Sequence, residues 1–257
     1  MGAMSDSISD RISRLRPSQL RRVEELTDAM LEGAEYEIGR DTDFVSEHFA
    51  QEFGDILRFH HLGSDQPLSK DKFEWATVRA FREVGIPASK TDGGTYPGQD
   101  ITVDGIPWSL KSEAARNIRR DKIHISKFME LGKGAWFTEG DLIALRERMF
   151  DHLTKYDRIV TLRCFNESVL GTGVRTYTYE LVEIPKVLFE RSAEFPIVFK
   201  TNSRQTPVPA SCYVLDRFGN VEMELYFDGG TERKLQIRGI LKSSCIVHGT
   251  WSFRVPA

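Results

Sequence analysis

The segment from Gly98 to Glu113 brings an acid, Asp100, and a lysine, Lys111, onto two predicted strands that share a tight turn at Asp104-Gly105. With those two residues as the loop of a hairpin, Val103 faces Ile106 and the pairing runs back to set Asp100 opposite Ser109, with Lys111 as its diagonal neighbour. Strand alternation sends Asp100, Thr102 and Asp104 to one face and Ile101 and Val103 to the other. On the second strand Ser109, Lys111 and Glu113 share a face opposite Trp108 and Leu110. One face is apolar, and the other gathers a carboxylate, a hydroxyl, an ammonium group and a second carboxylate. That is a spot where a cation and a phosphate could meet.

The pattern resembles the catalytic hairpin of the PD-(D/E)xK nuclease superfamily, which holds most restriction endonucleases, over roughly residues 70–131. Gly98-Gln99-Asp100 stands where that family often has Pro-Asp, and Ser109-Leu110-Lys111 stands where it usually has an acid two residues before the lysine. The resemblance implies a Mg²⁺-dependent phosphodiesterase, most simply a site-specific type II restriction endonuclease acting on double-stranded DNA as a homodimer. A repair or recombination nuclease on the same fold, or a DNA-binding protein that no longer cuts, are the alternatives. It implies Asp100 and the Leu110 carbonyl as metal ligands. Lys111 would orient or deprotonate the attacking water, and a lowered pKa is what a base role requires. Because Ser109 removes one expected ligand, three glutamates compete to replace it. Glu74 lies near the start of a helix ahead of the hairpin, Glu113 one strand repeat beyond Lys111, and Glu130 in a candidate helix Ile125–Leu131. For Glu113 a salt bridge to a nearby arginine is the other reading.

The elements that must position these residues are legible in outline. Lys70 to Val84 places Phe73, Val78, Phe81 and Val84 on an amphipathic helix, and Gly85-Ile86-Pro87 stops it. Upstream, Ser5–Glu37 and Phe44–Phe59 read as helices. Downstream, Ala88–Gly98 reads as a loop, Thr138–Lys155 as a helix, Arg158–Phe165 as a central strand, Thr176–Ile184 as another strand and Pro185–Arg191 as a short helix. From Cys212 the pattern turns to hairpins: Cys212–Asp216, Val221–Phe227 and Glu232–Ile240 as a meander, with Ile246–Phe253 as a fourth strand. The expected class is α/β, a restriction-endonuclease-like core of a mixed β-sheet flanked by helices, with N-terminal helices and a C-terminal β-hairpin region. The expected division is a helical region 4–69, a nuclease core 70–200 and a β-rich region 201–257, forming one compact unit.

Composition sets outer bounds. The 257 residues, 40% hydrophobic, suffice for a sizeable core, and no apolar run approaches membrane-spanning length. The N-terminus lacks the order of a secretory signal, and Cys164, Cys212 and Cys245 are too few and dispersed for a disulfide framework or zinc site, so a cytoplasmic location is expected. The net charge of −3 hides an asymmetry. Residues 1–110 hold 12 Lys/Arg against 20 Asp/Glu, whereas residues 111–257 hold 23 against 18. Arg116, Arg119, Arg120, Lys122 and Lys127 follow Lys111 closely, where a DNA backbone would lie. Arg233, Lys234, Gln236 and Arg238 dot the C-terminal hairpins, and a β-ribbon with Arg, Lys and Gln can read base edges in the major groove. The histidines, among them His152, form no recognisable ligand spacing and are expected in ordinary polar roles.

Overall fold

A computed structural model describes residues 7–91, 98–115, 117–169 and 173–256. In chain order the elements are α1 (Ile8–Ser13), α2 (Pro17–Glu32), β1 (Glu35–Ile38), α3 (Glu47–His61), α4 (Lys70–Glu83), β2 (Ala88–Lys90), β3 (Ile101–Val103), β4 (Ile106–Glu113) and β5 (Lys122–Glu130). There follow α5 (Glu139–Leu153), β6 (Arg158–Val169), β7 (Val174–Glu183), α6 (Lys186–Glu190), β8 (Ile197–Phe199), β9 (Ala210–Leu215), β10 (Val221–Asp228), β11 (Lys234–Leu241) and β12 (Ile246–Pro256). A seven-stranded mixed sheet runs β1-β12-β7-β6-β4-β3-β2, and a five-stranded sheet runs β5-β11-β10-β9-β8. This is the α/β architecture expected, a mixed sheet flanked by helices, with most of the C-terminal strands in a second sheet. No helix among the described residues is long and apolar enough to cross a membrane.

The β3–β4 hairpin forms in the expected register. Val103 pairs with Ile106 and Ile101 with Trp108, and Asp104 and Gly105 both have positive φ (48° and 79°), the twist that a two-residue type I′ loop demands. β4 then pairs in parallel with β6, Lys111 beside Thr161. Parallel neighbours require a crossover, and here it consists of β5 and α5. Trp108 and Leu110 enter a core that α3 and α4 complete with Phe49, Phe53, Phe73 and Phe81. Ile159, Val182 and Ile184, from the other side of the same sheet, join a second core with α5 and the five-stranded sheet.

α4 begins at Ser69, whose side chain accepts from the Lys72 amide, and ends before Gly85 (φ 80°). Its buried positions Phe73, Ala76, Thr77, Ala80 and Phe81 follow helical spacing more closely than the large apolar residues alone, because the alanines complete the stripe. Several expectations are corrected. The single helix Ser5–Glu37 is two helices and an edge strand, since Gly33 (φ 64°) ends α2 and Glu35–Ile38 pairs with β12. The loop Ala88–Gly98 begins with a strand, Ala88–Lys90, on the edge beside β3, while residues 92–97 lie outside the described residues. Ile125–Leu131 is not a helix: Ile125 to Glu130 belong to β5, paired with β11. Ile246–Phe253 is a strand, but it leaves the C-terminal meander and joins the seven-stranded sheet between β1 and β7, sending Trp251, Phe253 and Val255 into the α3/α4 core.

Candidate active site

Asp100 sits one residue before β3, its amide donating to the Trp108 carbonyl at 2.9 Å, so the hairpin fixes its backbone. Its carboxylate is divided between two tasks. Oδ2 accepts from the Leu110 amide at 2.6 Å and from Ser109 Oγ at 3.2 Å, and Oδ1 faces Lys70 Nζ at 2.6 Å. Lys111 Nζ donates to Ser109 Oγ at 2.9 Å, completing a chain from carboxylate through hydroxyl to ammonium. Ser109, the departure from the usual motif, therefore links Asp100 and Lys111. Glu74, on the first turns of α4, reaches the same ammonium, 3.7 Å from Lys70 Nζ, and lies 3.1 Å from Lys90 Nζ.

Asp100, Lys70 and Lys111 line a cavity of about 470 Å³ whose walls also include Ser126, Phe128 and His152. A larger cavity of about 790 Å³ lies in the helical layer, where Leu26, Phe59 and Trp75 share the lining with Arg22, Glu25 and Lys72.

Sequence comparison shows the family to which the chain belongs. The family model for SmaI, type II site-specific deoxyribonuclease, matches residues 9–253. The chain belongs to the SmaI family of type II site-specific deoxyribonucleases. A type II restriction enzyme SmaI from Serratia marcescens is 44% identical over 214 residues, 83% of each chain. No solved structure matches. As a member of the SmaI family the chain is a site-specific restriction endonuclease, a hydrolase.

Within this SmaI-family chain Lys111 is 9% exposed, and burial lowers its pKa to about 8, against an opposing pull from the Asp100 carboxylate. An acid at position 109 would hold that proton more tightly; the neutral hydroxyl lets burial win. Beneath the ammonium lies the Phe128 ring, 5.7 Å from Nζ. His152 closes the wall, its ring against Phe128 and Tyr156. Burial, then the positive charges of Lys111 and Lys155, lowers its pKa to about 4, and Nε2 is buried without a hydrogen-bond partner. Gly98 (φ 102°) passes so close that a Cβ there would fall 2.4 Å from the imidazole Cε1, which reserves the position for glycine. Sequence reading missed Lys70, Lys90 and His152. Only the i, i+4 spacing of Lys70 and Glu74 on the helix could have signalled the first.

The other proposed acids lie elsewhere. Glu113 is buried and bound: Oε2 accepts from Arg163 Nε at 2.6 Å and Oε1 from the His124 amide at 2.9 Å. Arg163, fully buried, also grips Glu180 at 2.7 Å and the carbonyls of Arg119 and Lys122, so the loop leading into β5 is tied to the central sheet. Glu113→Gln is expected to lower unfolding stability by about 3 kcal/mol, the scale of a broken buried ion pair, measured by denaturant titration. Glu130 is 70% exposed and pairs with Lys127 at 2.8 Å. Neither glutamate is brought to Asp100 in the way that Glu74 is.

The basic residues are largely engaged within the chain. Arg119 pairs with Asp121, Arg120 with Glu167, and Lys127 with Glu130 and Glu232, which push its pKa up to about 12. Arg116 lies outside the described residues. Arg233 donates to the carbonyls of Lys133 and Gly134, and Lys234 faces Glu232 at 3.4 Å. Arg238 lies over the Tyr226 ring and donates to the Gln236 amide oxygen at 2.8 and 3.0 Å, while Gln236 donates to Asp228.

Proposed function

We propose that the chain hydrolyses duplex DNA with Mg²⁺ at a centre built from Asp100 and Lys111, a Ser-x-Lys form of the PD-(D/E)xK motif. The observation that carries this is the continuous contact Asp100–Ser109–Lys111 in an open cavity, with one Asp100 oxygen turned toward a cation. Family membership points to a divalent ion. Among the described residues no three His, Cys, Asp or Glu are grouped to hold a metal. Mg²⁺ needs fewer: one or two carboxylates, with a carbonyl, waters and substrate phosphate completing an octahedron. Asp100 and Glu74 fit, since both already face one ammonium group, and the Leu110 carbonyl is the third ligand suggested by resemblance. A bound Mg²⁺ would neutralise charge on the scissile phosphate and leaving oxygen.

The chain's own residues do the rest. Lys111, with its lowered pKa, accepts a proton from water and, once charged, offsets the phosphate. Ser109 fixes its direction, and Phe128 and His152 keep its surroundings dry. The path for DNA continues from the cavity through depressions of about 470 and 930 Å³ that share Ser112, Ala114 and Asn117 in succession. Arg119, Arg120, Lys122 and Lys127 border it, and phosphates would take over from the acids that now hold them. On the polar face of the five-stranded sheet, Gln236 and Arg238 are the pair we assign to base edges, with Arg233 and Lys234 closer to the backbone. A homodimer in the cytoplasm completes the reading.

Supercoiled plasmid with and without Mg²⁺, with cut ends mapped, tests this. Expected are metal-dependent ends at one defined sequence; specific binding without cutting in any divalent metal would leave only a DNA-binding protein. At fixed salt, Glu74→Gln is expected to slow cleavage about tenfold or more, as loss of one ligand does, while Glu130→Gln stays within about twofold in the same assay.

A further inference from the structure

We infer that Lys70 is a built-in counter-cation, which occupies the Asp100 oxygen where the divalent ion enters and must be exchanged for it. The inference rests on the assignment of Asp100 and Glu74 to the metal. Asp100 Oδ2 is committed to the Leu110 amide and the Ser109 hydroxyl, so Oδ1 is the oxygen left for a cation, and Lys70 Nζ holds it at 2.6 Å. The same ammonium is 3.7 Å from Glu74, a single charge shared by the two carboxylates.

Lys70 is built to leave. Its side chain is 47% exposed, against 11% for Asp100 and 13% for Glu74, so the arm enters from solvent and can withdraw without opening the fold. It also stands at the first position of α4, directly after the Ser69 cap, where the positive end of the helix dipole disfavours a cation. Helix stability therefore does not explain a lysine there; the two carboxylates do.

The charges around the site give the exchange a consequence. Lys70 and Lys90 pair with Asp71, Glu74 and Asp100, and the Lys111 ammonium reaches Asp100 through the Ser109 hydroxyl, so the formal charges of these six side chains already balance without DNA. A divalent ion added to it creates an excess of positive charge, which a phosphate relieves by giving the released Lys70 ammonium a new partner. Metal and DNA should then strengthen each other's binding, reciprocally.

Calorimetric titration of Mn²⁺ into the DNA-free protein at fixed ionic strength tests the exchange. Lys70→Met is expected to bind Mn²⁺ about fivefold tighter than the unaltered chain, the factor set by the upper range of exposed ion pairs. Lys72→Met, which removes an exposed lysine from the same helix, should leave affinity unchanged, and Asp100→Asn added to Lys70→Met should remove the gain. Thermal unfolding of each variant confirms that the fold is kept. No gain in Lys70→Met, with Mn²⁺ binding still lost in Asp100→Asn, would make Lys70 a plain structural ion pair and leave the metal assignment standing. Equal gains in Lys70→Met and Lys72→Met would reduce the effect to net charge and overturn the exchange. Mn²⁺ binding indifferent to Asp100→Asn would instead remove the metal assignment itself.

Discussion

Lys111→Met is expected to lose cleavage by roughly a hundredfold to ten-thousandfold and, in the metal-free protein, to become more stable. The two effects have one cause. In the unfolded chain the ammonium group keeps its ordinary value near 10.5, and burial in the folded protein lowers it to about 8. Between those values the unfolded chain binds the extra proton, so stability of the unaltered protein rises with pH from about 8 to 10.5 and the full penalty applies below pH 8. The shift corresponds to about 3 kcal/mol. Methionine carries no such penalty, so Lys111→Met should exceed the unaltered chain by up to that amount at pH 7, with the difference closing toward pH 10.5. Denaturant unfolding at pH 7 and pH 10 measures it. A variant that is less stable at pH 7 would show the ammonium to be well accommodated, and the base role would lose its physical ground. The same lowered value predicts that single-turnover cleavage climbs with pH up to about 8 and then levels off.

Asp100→Asn is the second large effect, a loss of about a thousandfold or more in single-turnover rate, near 4 kcal/mol of transition-state stabilisation. The amide keeps the shape of the side chain and can still accept from the Leu110 amide, so the hairpin should persist. Only the charge that draws a cation is removed. Specific duplex binding without metal should be retained or tightened, because a negative group beside the phosphate path has gone. Fluorescence anisotropy with a cognate duplex, read beside the cleavage rate, separates the two. Persistent cleavage would place the metal elsewhere and end the assignment of this hairpin as the catalytic centre.

The hairpin was readable because its turn is chemically explicit: Asp104-Gly105 tolerates the positive φ that the loop requires, and that fixes which residues face each other. α4 was readable from its apolar stripe and its glycine stop. β5 was not, and the reason is local. Ile123 and Ile125 alternate, but the register against β11 shifts between Leu235 and Ile237, so the next buried residue is Phe128, three positions on. A bulged strand imitates helical spacing. β1 was hidden by its length and its two glutamates, which suit an edge and read as a helix continued. At the site, Asp100 and Lys111 carried a local signal. The Lys70 contact and the His152 wall did not, because they depend on how α4 and α5 pack against the hairpin, a long-range fact with no short motif.

β5 belongs to the five-stranded sheet, yet its Phe128 is the floor under the Lys111 ammonium. On the neighbouring strand β11, Gln236 and Arg238 carry the side chains proposed to meet the bases. The residues proposed to read the bases and the ring beneath the proposed catalytic lysine thus stand on adjacent strands of one sheet. If Gln236 and Arg238 meet the bases as proposed, a mismatch that displaces β11 would reach the ring beneath the ammonium through the β5–β11 pairing.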